Sequence, residues 1–360
     1  MSRRLKVGVV GGGIGIAHID AYRALPDLYD VVAFCDIDAD KTDKIAAERA
    51  IPEKMTSFEA LLNRDLDIVD ITTPSNLHFA QAMRALEVGR HVVVEKPFAS
   101  SLAEADALAA AEKKSGKRVS PIFQYRFSDG IRQFLHLREK GFVGKTYAAT
   151  VETHWRRDAV YYDNPWRGRW ASELGGTLAT HAIHNHDMLT YLLGPIHSVF
   201  ARMTTRVNKI ETEDCAALSL EMADGALVTL SVTMGGEEEI SRLRLYFDGL
   251  TMESNHSPYN AGTAPWTFVS SNPEQQKAID AAVKEVVSLP ERNAGQFLAL
   301  HKALTEGAPM PVSIADARPS IELLTAAYYS VHTGSDVTLP IGRDHPFYDG
   351  WLPTMSQRKG

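Results

Sequence analysis

The chain has 360 residues, 44% hydrophobic and 23% charged, which is ordinary for a globular protein long enough to form two domains. Its formal net charge of −7 argues against nucleic acid or an anionic membrane as a partner, because both attract basic surfaces. Two cysteines are too few for a disulfide framework, and no apolar run has membrane-spanning length, so we expect a cytoplasmic location.

The first third of the chain alternates strand and helix patterns. Predicted strands cover residues 7–10, 31–35, 68–71, 91–94 and 118–123, and predicted helices cover 16–25, 77–88 and a segment that begins near 101. These strands are apolar along their whole length, which is typical of a parallel sheet covered by helices on both faces. The pattern predicts an α/β fold that begins with a doubly wound Rossmann domain over residues 1–123.

A glycine-rich loop between the first strand and helix predicts a dinucleotide site. Gly11 permits a tight turn, Gly13 lets a pyrophosphate approach the backbone, and the helix N-terminus attracts its charge. The third glycine, Gly15, comes one residue earlier than the usual spacing. Asp36 ends the second strand, where a carboxylate accepts hydrogen bonds from ribose hydroxyls and repels a 2′-phosphate. This favours NAD and leaves NADP possible; ordinary loop glycines and a helix-capping Asp36 remain the alternatives.

From about residue 124 the pattern changes to a second domain, predicted over residues 124–360. Alternating residues 228–234 indicate a half-buried strand, and Asp224-Gly225 and Asp248-Gly249 indicate hairpin turns. We expect a large, mostly antiparallel open sheet, followed by helices near 274–287, 291–306 and 315–332. The last helices could pack back on the first domain. The small polar residues Thr229, Ser231 and Thr233 suggest a sheet face that joins subunits into a homodimer or homotetramer.

Lys96 is the first candidate for chemistry. It follows a buried strand, at the end of the sheet where α/β proteins bind their ligands. A partly desolvated lysine could exchange a proton with a substrate hydroxyl. Taken alone, Glu95-Lys96-Pro97 is more often a capped strand end.

Several motifs together resemble one known family. They are Thr73-Pro74-Ser75-Asn76-Leu77-His78, then Gly89-Arg90-His91 running to Glu95-Lys96-Pro97, and Gly175-Gly176-Thr177-Leu178 followed by His184 and Asp187. In sequence and spacing they resemble the glucose–fructose oxidoreductase, inositol dehydrogenase and MocA-like (Gfo/Idh/MocA) family over essentially the whole chain. The resemblance implies an NAD(P)-dependent oxidoreductase that acts on the CH–OH group of a sugar or cyclitol.

The resemblance also implies roles for individual residues. Lys96 and His184 would be catalytic. The residues that would bind the cofactor are Gly11, Gly13, Ile14, Gly15, Asp36, Thr73, Pro74, Asn76, His78, Glu95, Lys96, Trp166 and Arg167. The residues that would bind the substrate are Lys96, Tyr125, His154, Arg156, Thr180 and His184. Aromatic and basic side chains of this kind suit the faces and hydroxyls of a sugar ring.

Thr180 departs from the family pattern, which often has an aspartate at this position, one helical turn before the histidine. A threonine hydroxyl cannot accept a proton near pH 7. Lys96 and His184 would then handle the proton between them, or a second group, His181 or Asp187, would contribute. The histidine-rich segment also invites a metal site, but its spacing disfavours one and we predict none. An NAD-assisted glycosidase and a non-catalytic nicotinamide-binding regulator are the alternative functions.

Overall fold

A computed structural model describes residues 3–357 of the chain, which divides into two compact units. The first unit comprises Met1–Gln124 and Arg292–Arg318, and the second comprises Tyr125–Glu291 and Pro319–Gly360. The boundary between Gln124 and Tyr125 lies one residue from the one expected from the sequence, between residues 123 and 124. The segment Arg292–Arg318 belongs to the first unit, although the sequence-based division assigned it to the domain over residues 124–360.

The elements follow one another in the order that the sequence predicts for the first third. The strands are β1 (Leu5–Val10), β2 (Tyr29–Cys35), β3 (Glu53–Met55), β4 (Ile68–Ile71), β5 (His91–Val94), β6 (Val119–Pro121), β7 (Thr146–Arg156), β8 (Ile196–Thr204), β9 (Cys215–Met222), β10 (Leu227–Thr233), β11 (Gly235–Phe247), β12 (Leu250–Glu253), β13 (Thr267–Val269) and β14 (Val337–Thr338). The α-helices are α1 (Gly15–Arg23), α2 (Ala39–Glu48), α3 (Phe58–Leu62), α4 (His78–Glu87), α5 (Leu102–Ser115), α6 (Asp129–Glu139), α7 (Ala159–Tyr162), α8 (Trp170–Glu173), α9 (Ile183–Leu193), α10 (Pro273–Glu285), α11 (Arg292–Glu306), α12 (Ile314–Thr333) and α13 (Leu352–Met355). A π-helical turn, Leu178–Ala182, precedes α9.

The sheet of the first unit is parallel throughout, in the order β3-β2-β1-β4-β5-β6. This is the Rossmann order, and it confirms the predicted doubly wound domain. The strand order reverses between β1 and β4, so the loops that follow these two strands flank the crevice in which such folds bind dinucleotides.

Two glycines explain why the chain turns so closely at this crevice. Gly11 follows β1 with a φ of +99°, and a Cβ there would lie 2.6 Å from the Thr72 carbonyl oxygen. A Cβ on Gly15 would lie 2.5 Å from Thr72 Oγ1, so its absence lets α1 approach β4. Gly15 therefore serves the helix–strand packing role of the third glycine, even though it comes one residue early.

Helix α11 completes the core of the first unit from far along the chain. The Phe297 ring stacks on Tyr22 of α1, with ring centroids 4.0 Å apart and planes 3° from parallel. The Tyr29 hydroxyl donates a hydrogen bond to the Phe297 carbonyl oxygen at 2.7 Å. Local sequence patterns do not encode such long-range packing, so the sequence predicted α11 as a helix and only allowed that the last helices pack back on the first domain.

The second unit is built on an eight-stranded sheet in the order β13-β12-β11-β7-β10-β9-β8-β14. Among the described strands of this second sheet, only the β7–β10 pairing is parallel. The predicted mostly antiparallel sheet is therefore confirmed. Helix α9 packs against one face, where Asn185 Nδ2 donates to Thr153 Oγ1 at 2.7 Å. On β10, Thr229 and Ser231 are exposed on the opposite, open face.

Candidate active site

The carboxylate of Asp36 is held in place by its neighbours. Its Oδ2 accepts a hydrogen bond from the Gly12 amide at 2.6 Å and forms an ion pair with Lys41 Nζ at 3.0 Å, and its Oδ1 accepts from the Asp38 amide at 3.1 Å. Burial opposes the charge, but the two amides and Lys41 outweigh it and lower the pKa of Asp36. The side chain is therefore an ionised acceptor at neutral pH.

The glycine loop leaves space for a ligand beside this carboxylate. No described atom lies within 4 Å of where a Cβ on Gly13 would be. Ile14, the N-cap of α1, has a half-exposed side chain, and no described side chain caps the first amides of this helix. An open helix N-terminus behind a glycine loop suits a pyrophosphate. These residues fit the adenosine and pyrophosphate part of a dinucleotide.

The segment after β4 carries Thr73, Pro74, Asn76 and His78. Thr73 Oγ1 donates to Gln81 Oε1 at 2.7 Å, and Asn76 is exposed. His78 is buried, and its two ring nitrogens lie 2.8 Å from the carbonyl oxygens of Thr73 and Pro97. His78 thus joins the loop after β4 to the loop after β5 and fixes the backbone around Lys96.

Lys96 lies directly beyond β5, where the sequence predicted it. Its peptide bond to Pro97 is cis, and its backbone amide donates to Glu95 Oε2 at 3.0 Å. Glu95 is buried, and its own amide extends the ladder by donating to the Ile71 carbonyl oxygen at 2.9 Å. The position of Lys96 is therefore set by a buried carboxylate and by the β4–β5 pairing.

A buried histidine that the sequence analysis did not identify lies behind Glu95. His18 on α1 has Nε2 at 3.1 Å from Glu95 Oε1 and Nδ1 at 2.9 Å from Asp70 Oδ2. Burial opposes a charge on the ring, but Asp70 and Glu95 together raise the pKa of His18 to about 10. His18 is thus an imidazolium between two carboxylates, and no motif signalled this arrangement.

In the second unit, Tyr125 and His184 are brought together. Their rings stack with centroids 4.5 Å apart and planes 19° from parallel. Arg126, next to Tyr125, makes two hydrogen bonds to Asp187, from Nε to Oδ2 at 2.8 Å and from NH2 to Oδ1 at 2.5 Å. Both partners are buried, and such a bidentate pair fixes the register of this segment against α9.

The π-helical turn before α9 presents a connected set of polar side chains. Thr180 Oγ1 lies 2.8 Å from the Gly176 carbonyl oxygen and 2.7 Å from His181 Nδ1. His181 Nε2 lies 3.1 Å from the Tyr161 hydroxyl, which also receives a hydrogen bond from Arg167 NH1. One assignment of donors satisfies every contact: arginine to tyrosine, tyrosine to histidine, histidine to threonine, and threonine to the carbonyl. We call these four side chains the His181 chain.

Arg167, a member of the His181 chain, also stacks between the Tyr161 and Trp166 rings. The Arg167 guanidinium carbon lies 4.1 Å from the Tyr161 ring centroid and 4.3 Å from that of Trp166, and NH1 lies 3.2 Å from Glu173 Oε1. Burial raises the pKa of Tyr161 far above its ordinary value, so its hydroxyl remains protonated. Tryptophan, arginine and tyrosine together provide flat surfaces and donors at this end of the unit.

His154 and Arg156 lie on the open-face side of β7. Neighbouring strand residues point to opposite faces, and both of these side chains lie on the opposite face of β7 from Trp155. His154 contacts Ser231 of the open face at 3.0 Å, and Arg156 pairs with Glu237 at 3.1 Å. Trp155 instead faces His181, with ring centroids 5.4 Å apart. His154 therefore belongs to the open face of the sheet, whereas Arg156, at the end of β7, also lines a cavity together with Arg157, Tyr161 and Tyr259 and stays a candidate.

Sequence reasoning missed Arg157 and Tyr259, which adjoin Trp155. The Arg157 guanidinium lies 5.1 Å from the ring centroids of both Trp155 and Tyr161 and donates to the Tyr259 hydroxyl. Arg157, Tyr161 and Tyr259 also line an open cavity of about 540 Å³. No sequence pattern signalled this group, because Tyr259 is 102 residues from Arg157 along the chain.

Glu213 holds the loop that leads into the π-helical turn. Its carboxylate accepts hydrogen bonds from the amides of Gly176 at 2.9 Å and Leu178 at 3.1 Å, and from the Tyr328 hydroxyl at 3.0 Å. Burial raises the pKa of Glu213 to about 7 despite these donors. The Gly175-Gly176 motif is explained by this contact, since a Cβ on Gly176 would meet the Glu213 carbonyl oxygen at 1.9 Å.

Two further findings apply to the part of the chain that the structure describes. No three His, Cys, Asp or Glu side chains are grouped as a metal site, and the carboxylate of Asp187 is engaged by Arg126. No helix has both the length and the apolar character needed to cross a membrane.

Comparison with protein families matches both halves of this arrangement. The model of the GFO_IDH_MocA oxidoreductase family, with an NAD-binding Rossmann fold, matches residues 5–123, and that of the GFO/IDH/MocA C-terminal domain matches residues 131–251. Together they cover two thirds of the chain. The chain belongs to the Gfo/Idh/MocA family. Membership confirms the predicted family and, at the level of the family, an NAD(P)-dependent oxidoreductase with a nicotinamide cofactor.

Two curated relatives show how much of the chain is similar to known dehydrogenases. Levoglucosan dehydrogenase from Pseudarthrobacter phenanthrenivorans is 29% identical over 216 residues, 56% of this chain and 55% of that protein, so the match spans about half of its length. The scyllo-inositol 2-dehydrogenase (NADP(+)) IolW from Bacillus subtilis is 23% identical over 346 residues, 91% of this chain and 93% of that one.

A solved structure supports the same conclusion over nearly the whole chain. The WlbA dehydrogenase from Bordetella pertussis, in complex with NADH and UDP-GlcNAcA, superposes with a TM-score of 0.84 at 26% identity. The superposition covers 94% of this chain and 100% of that one. This Gfo/Idh/MocA protein therefore has the fold of a dehydrogenase whose structure contains a nicotinamide cofactor.

Proposed function

We propose that this Gfo/Idh/MocA protein transfers a hydride between a nicotinamide cofactor and a carbinol or carbonyl carbon of a sugar or cyclitol. The observation that carries the proposal is the position of Lys96, beyond β5 of an NAD-binding Rossmann sheet and fixed there by the buried Glu95. When bound, the nicotinamide supplies the hydride acceptor or donor. Every other part of the chemistry belongs to side chains of this chain.

Asp36 and the glycine loop are the proposed cofactor contacts. The ionised Asp36 accepts hydrogen bonds from ribose hydroxyls, and Gly11, Gly13, Ile14 and Gly15 admit the pyrophosphate. Thr73, Pro74 and Asn76 lie on the loop after β4, on the other side of the strand-order switch. We also keep Trp166 and Arg167 as proposed contacts, because their stacked planes suit a flat ring.

Lys96 and His184 are the proposed acid–base pair. A carbinol that loses its hydride must also release its hydroxyl proton, because the alternative is a costly oxocarbenium-like cation. Lys96 offers an amine at the sheet edge, and His184 offers an imidazole that Tyr125 holds by stacking. General acid–base help of this kind contributes roughly a hundredfold to ten-thousandfold in rate.

His181 is the better of the two candidates for the second acid. The carboxylate of Asp187 is engaged in two charge-assisted hydrogen bonds to Arg126, which hold it ionised and in place. His181 instead adjoins Thr180, the position at which the family often has an aspartate, and contacts Tyr161 on its far side. We propose that Thr180 and His181 act together where relatives use a single carboxylate.

The substrate class rests on relatives and on the side chains around the His181 chain. The relatives named above include a levoglucosan and an inositol dehydrogenase, and the matched structure contains a nucleotide-linked sugar. Tyr125, Trp155, Tyr161 and Arg157 provide stacking surfaces and donors, which suit a polyhydroxylated ring. The proposed partner is accordingly a small sugar or cyclitol.

The test is a screen of the purified protein against sugars and cyclitols with NAD and NADP, following reduced nicotinamide. With the best pair, Lys96→Met should lower kcat by at least about a hundredfold and change the Kd for the cofactor by less than about threefold. Lys277→Met, at an exposed lysine of α10, is the matched control and should behave as wild type. Retained activity in Lys96→Met would refute the lysine's role.

The second acid is tested at the same time with substitutions at Thr180. Thr180→Asp gives His181 a carboxylate partner and should preserve or raise activity, whereas Thr180→Val removes the hydroxyl at equal size and should lower it. Release of sugar with no net change of cofactor would instead identify an NAD-assisted glycosidase. Cofactor binding without turnover of any substrate would identify a regulator.

A further inference from the structure

The inference concerns three buried ionisable side chains of the first unit, His18, Asp70 and Glu95. None of their side chains is more than 7% exposed. Charged groups at such depth are tolerated only when they are paired and hydrogen-bonded. The His18 ring lies between the two acidic side chains and contacts both of them. We call these three side chains the His18 cluster.

Three different elements build this cluster. His18 comes from α1 just beyond the glycine loop, Asp70 from β4, and Glu95 from the end of β5. Strands β4 and β5 are neighbours in the sheet, with Asp70 opposite Val93. The Phe297 ring meets His18 edge-on, at 5.5 Å between centroids, and closes the cluster on the α11 side.

The two carboxylates serve different purposes. Asp70 faces His18 Nδ1 with both oxygens, at 2.9 and 3.1 Å. Glu95 divides its oxygens: Oε1 faces His18 Nε2 at 3.1 Å, and Oε2 accepts the Lys96 amide at 3.0 Å. His18 is thus connected to the backbone of Lys96 through one side chain, and its two ring nitrogens perform separable tasks.

We propose that His18 is a positioning residue for the active-site lysine: its Nε2 orients Glu95, and Glu95 fixes the Lys96 amide. Asp70 in turn holds His18 charged and in the required orientation. This inference rests on the proposed role of Lys96. A solely structural histidine would stabilise the unit without any particular effect on that lysine.

The two nitrogens can be tested separately, because asparagine and glutamine each imitate one of them. His18→Asn keeps a donor near the Nδ1 position, towards Asp70, and removes the donor to Glu95. His18→Gln keeps a donor near the Nε2 position, towards Glu95, and removes the donor to Asp70. Both variants place a neutral amide among the same buried carboxylates, so each is the control for the other.

The first measurement needs no substrate. Residue-resolved hydrogen exchange of the Lys96 amide should become at least about tenfold faster in His18→Asn and stay within about threefold of wild type in His18→Gln. The amides of Val92 and Val94, within β5, are internal references and should not distinguish the variants. His301→Gln replaces another buried histidine of the same unit, which contacts the Arg3 carbonyl oxygen, and should leave the Lys96 amide unchanged.

The second measurement is the split between kcat and KM in the assay of the proposed function. His18→Asn should lower kcat at least about tenfold with little change in KM, His18→Gln should retain most of kcat, and His301→Gln should retain wild-type activity. If His18→Asn does not fold, Glu95→Asp replaces it, because the shorter carboxylate cannot span from His18 to the amide.

The possible results separate this inference from the proposed function. Equal effects of asparagine and glutamine on the Lys96 amide, or no effect of asparagine, would overturn the positioning role. Full activity in Lys96→Met, together with the expected exchange pattern, would refute the proposed role of Lys96 and leave the structural link standing. Loss of activity in Lys96→Met with unchanged exchange and kcat in His18→Asn would overturn the positioning role alone.

Discussion

At the scale of single residues, we expect Asp36 and Lys41 to set the choice of cofactor together. Lys41 neutralises much of the Asp36 charge at 3.0 Å, and it would remain beside a 2′-phosphate if the aspartate were removed. Asp36→Ser should therefore shift the ratio of NADP to NAD affinity at least about tenfold towards NADP, or about 1.4 kcal/mol. The double variant with Asp36→Ser and Lys41→Met should show a smaller shift of this ratio towards NADP. A wild-type protein that already prefers NADP tenfold would contradict the role of Asp36.

Glu213 gives a second prediction at this scale, and it concerns pH. Glu213→Gln should destabilise the protein by about 1–3 kcal/mol, because an amide nitrogen must face one of the buried donors. The folded pKa of about 7 lies above the ordinary 4.5, so between these values the folded state binds more protons than the unfolded state. Wild-type stability therefore falls relative to the variant as pH rises through this range.

The measurement for Glu213 is urea denaturation of both proteins across that pH range. The deficit of Glu213→Gln should be larger near about pH 5 than above about pH 7. Tyr328→Phe removes only the hydroxyl donor and is the matched control for the loss of one hydrogen bond. A deficit that stays constant across this range would show that the carboxylate is ionised throughout, stabilised by its three donors.

At the scale of elements, the prediction concerns the association of subunits through the open face of the second sheet. We expect a homodimer or homotetramer joined through this face, because exposed Thr229 and Ser231 give β10 a small, uncharged surface. Thr229→Glu with Ser231→Glu should lower the molar mass in light scattering at micromolar concentration, since buried carboxylates would face each other across the interface. Ser271→Glu, in an exposed loop, should leave the mass unchanged. A monomeric wild-type protein would contradict the prediction.

The elements also show what could be predicted from sequence. Strands β1, β2, β4 and β5 were predictable because their largely apolar runs, with turn residues at the ends, are typical of buried parallel strands. The faces of β7 were not, because polar residues occupy both faces and a shift of one residue exchanges them. For that reason the sequence could not show that His154 contacts the open face. His18 was missed because its partners, Asp70 and Glu95, are distant in sequence.

At the scale of the whole molecule, the first unit depends on a helix from late in the chain. Phe297→Ala should destabilise this unit by about 3–5 kcal/mol, because the ring is fully buried and stacks on Tyr22. NAD binding should weaken with it, since Tyr22 belongs to the helix that begins at the glycine loop. Denaturation and NAD titration measure both effects. Phe297→Leu preserves most of the volume and should cost about 1 kcal/mol.

A loss below about 1 kcal/mol in Phe297→Ala would contradict the view that α11 is integral to the first unit. Whether α11 is integral to the first unit decides which fragment of the protein can be stable on its own. Residues 1–123 were predicted as a domain in their own right, whereas the structure completes the same core with Phe297 and Leu300. A fragment that ends at Gln124 should therefore be less stable than one in which Arg292–Arg318 is restored by fusion.

The divided first unit has a consequence for synthesis on the ribosome. Its six strands are complete once Gln124 has emerged, but the helix that covers Tyr22 and Tyr29 follows only after the whole of Tyr125–Glu291. At about 5–20 residues per second, that delay is on the order of ten to thirty seconds. During this interval the nascent chain lacks the helix that covers this aromatic surface, so we expect the surface to be a binding place for nascent-chain chaperones.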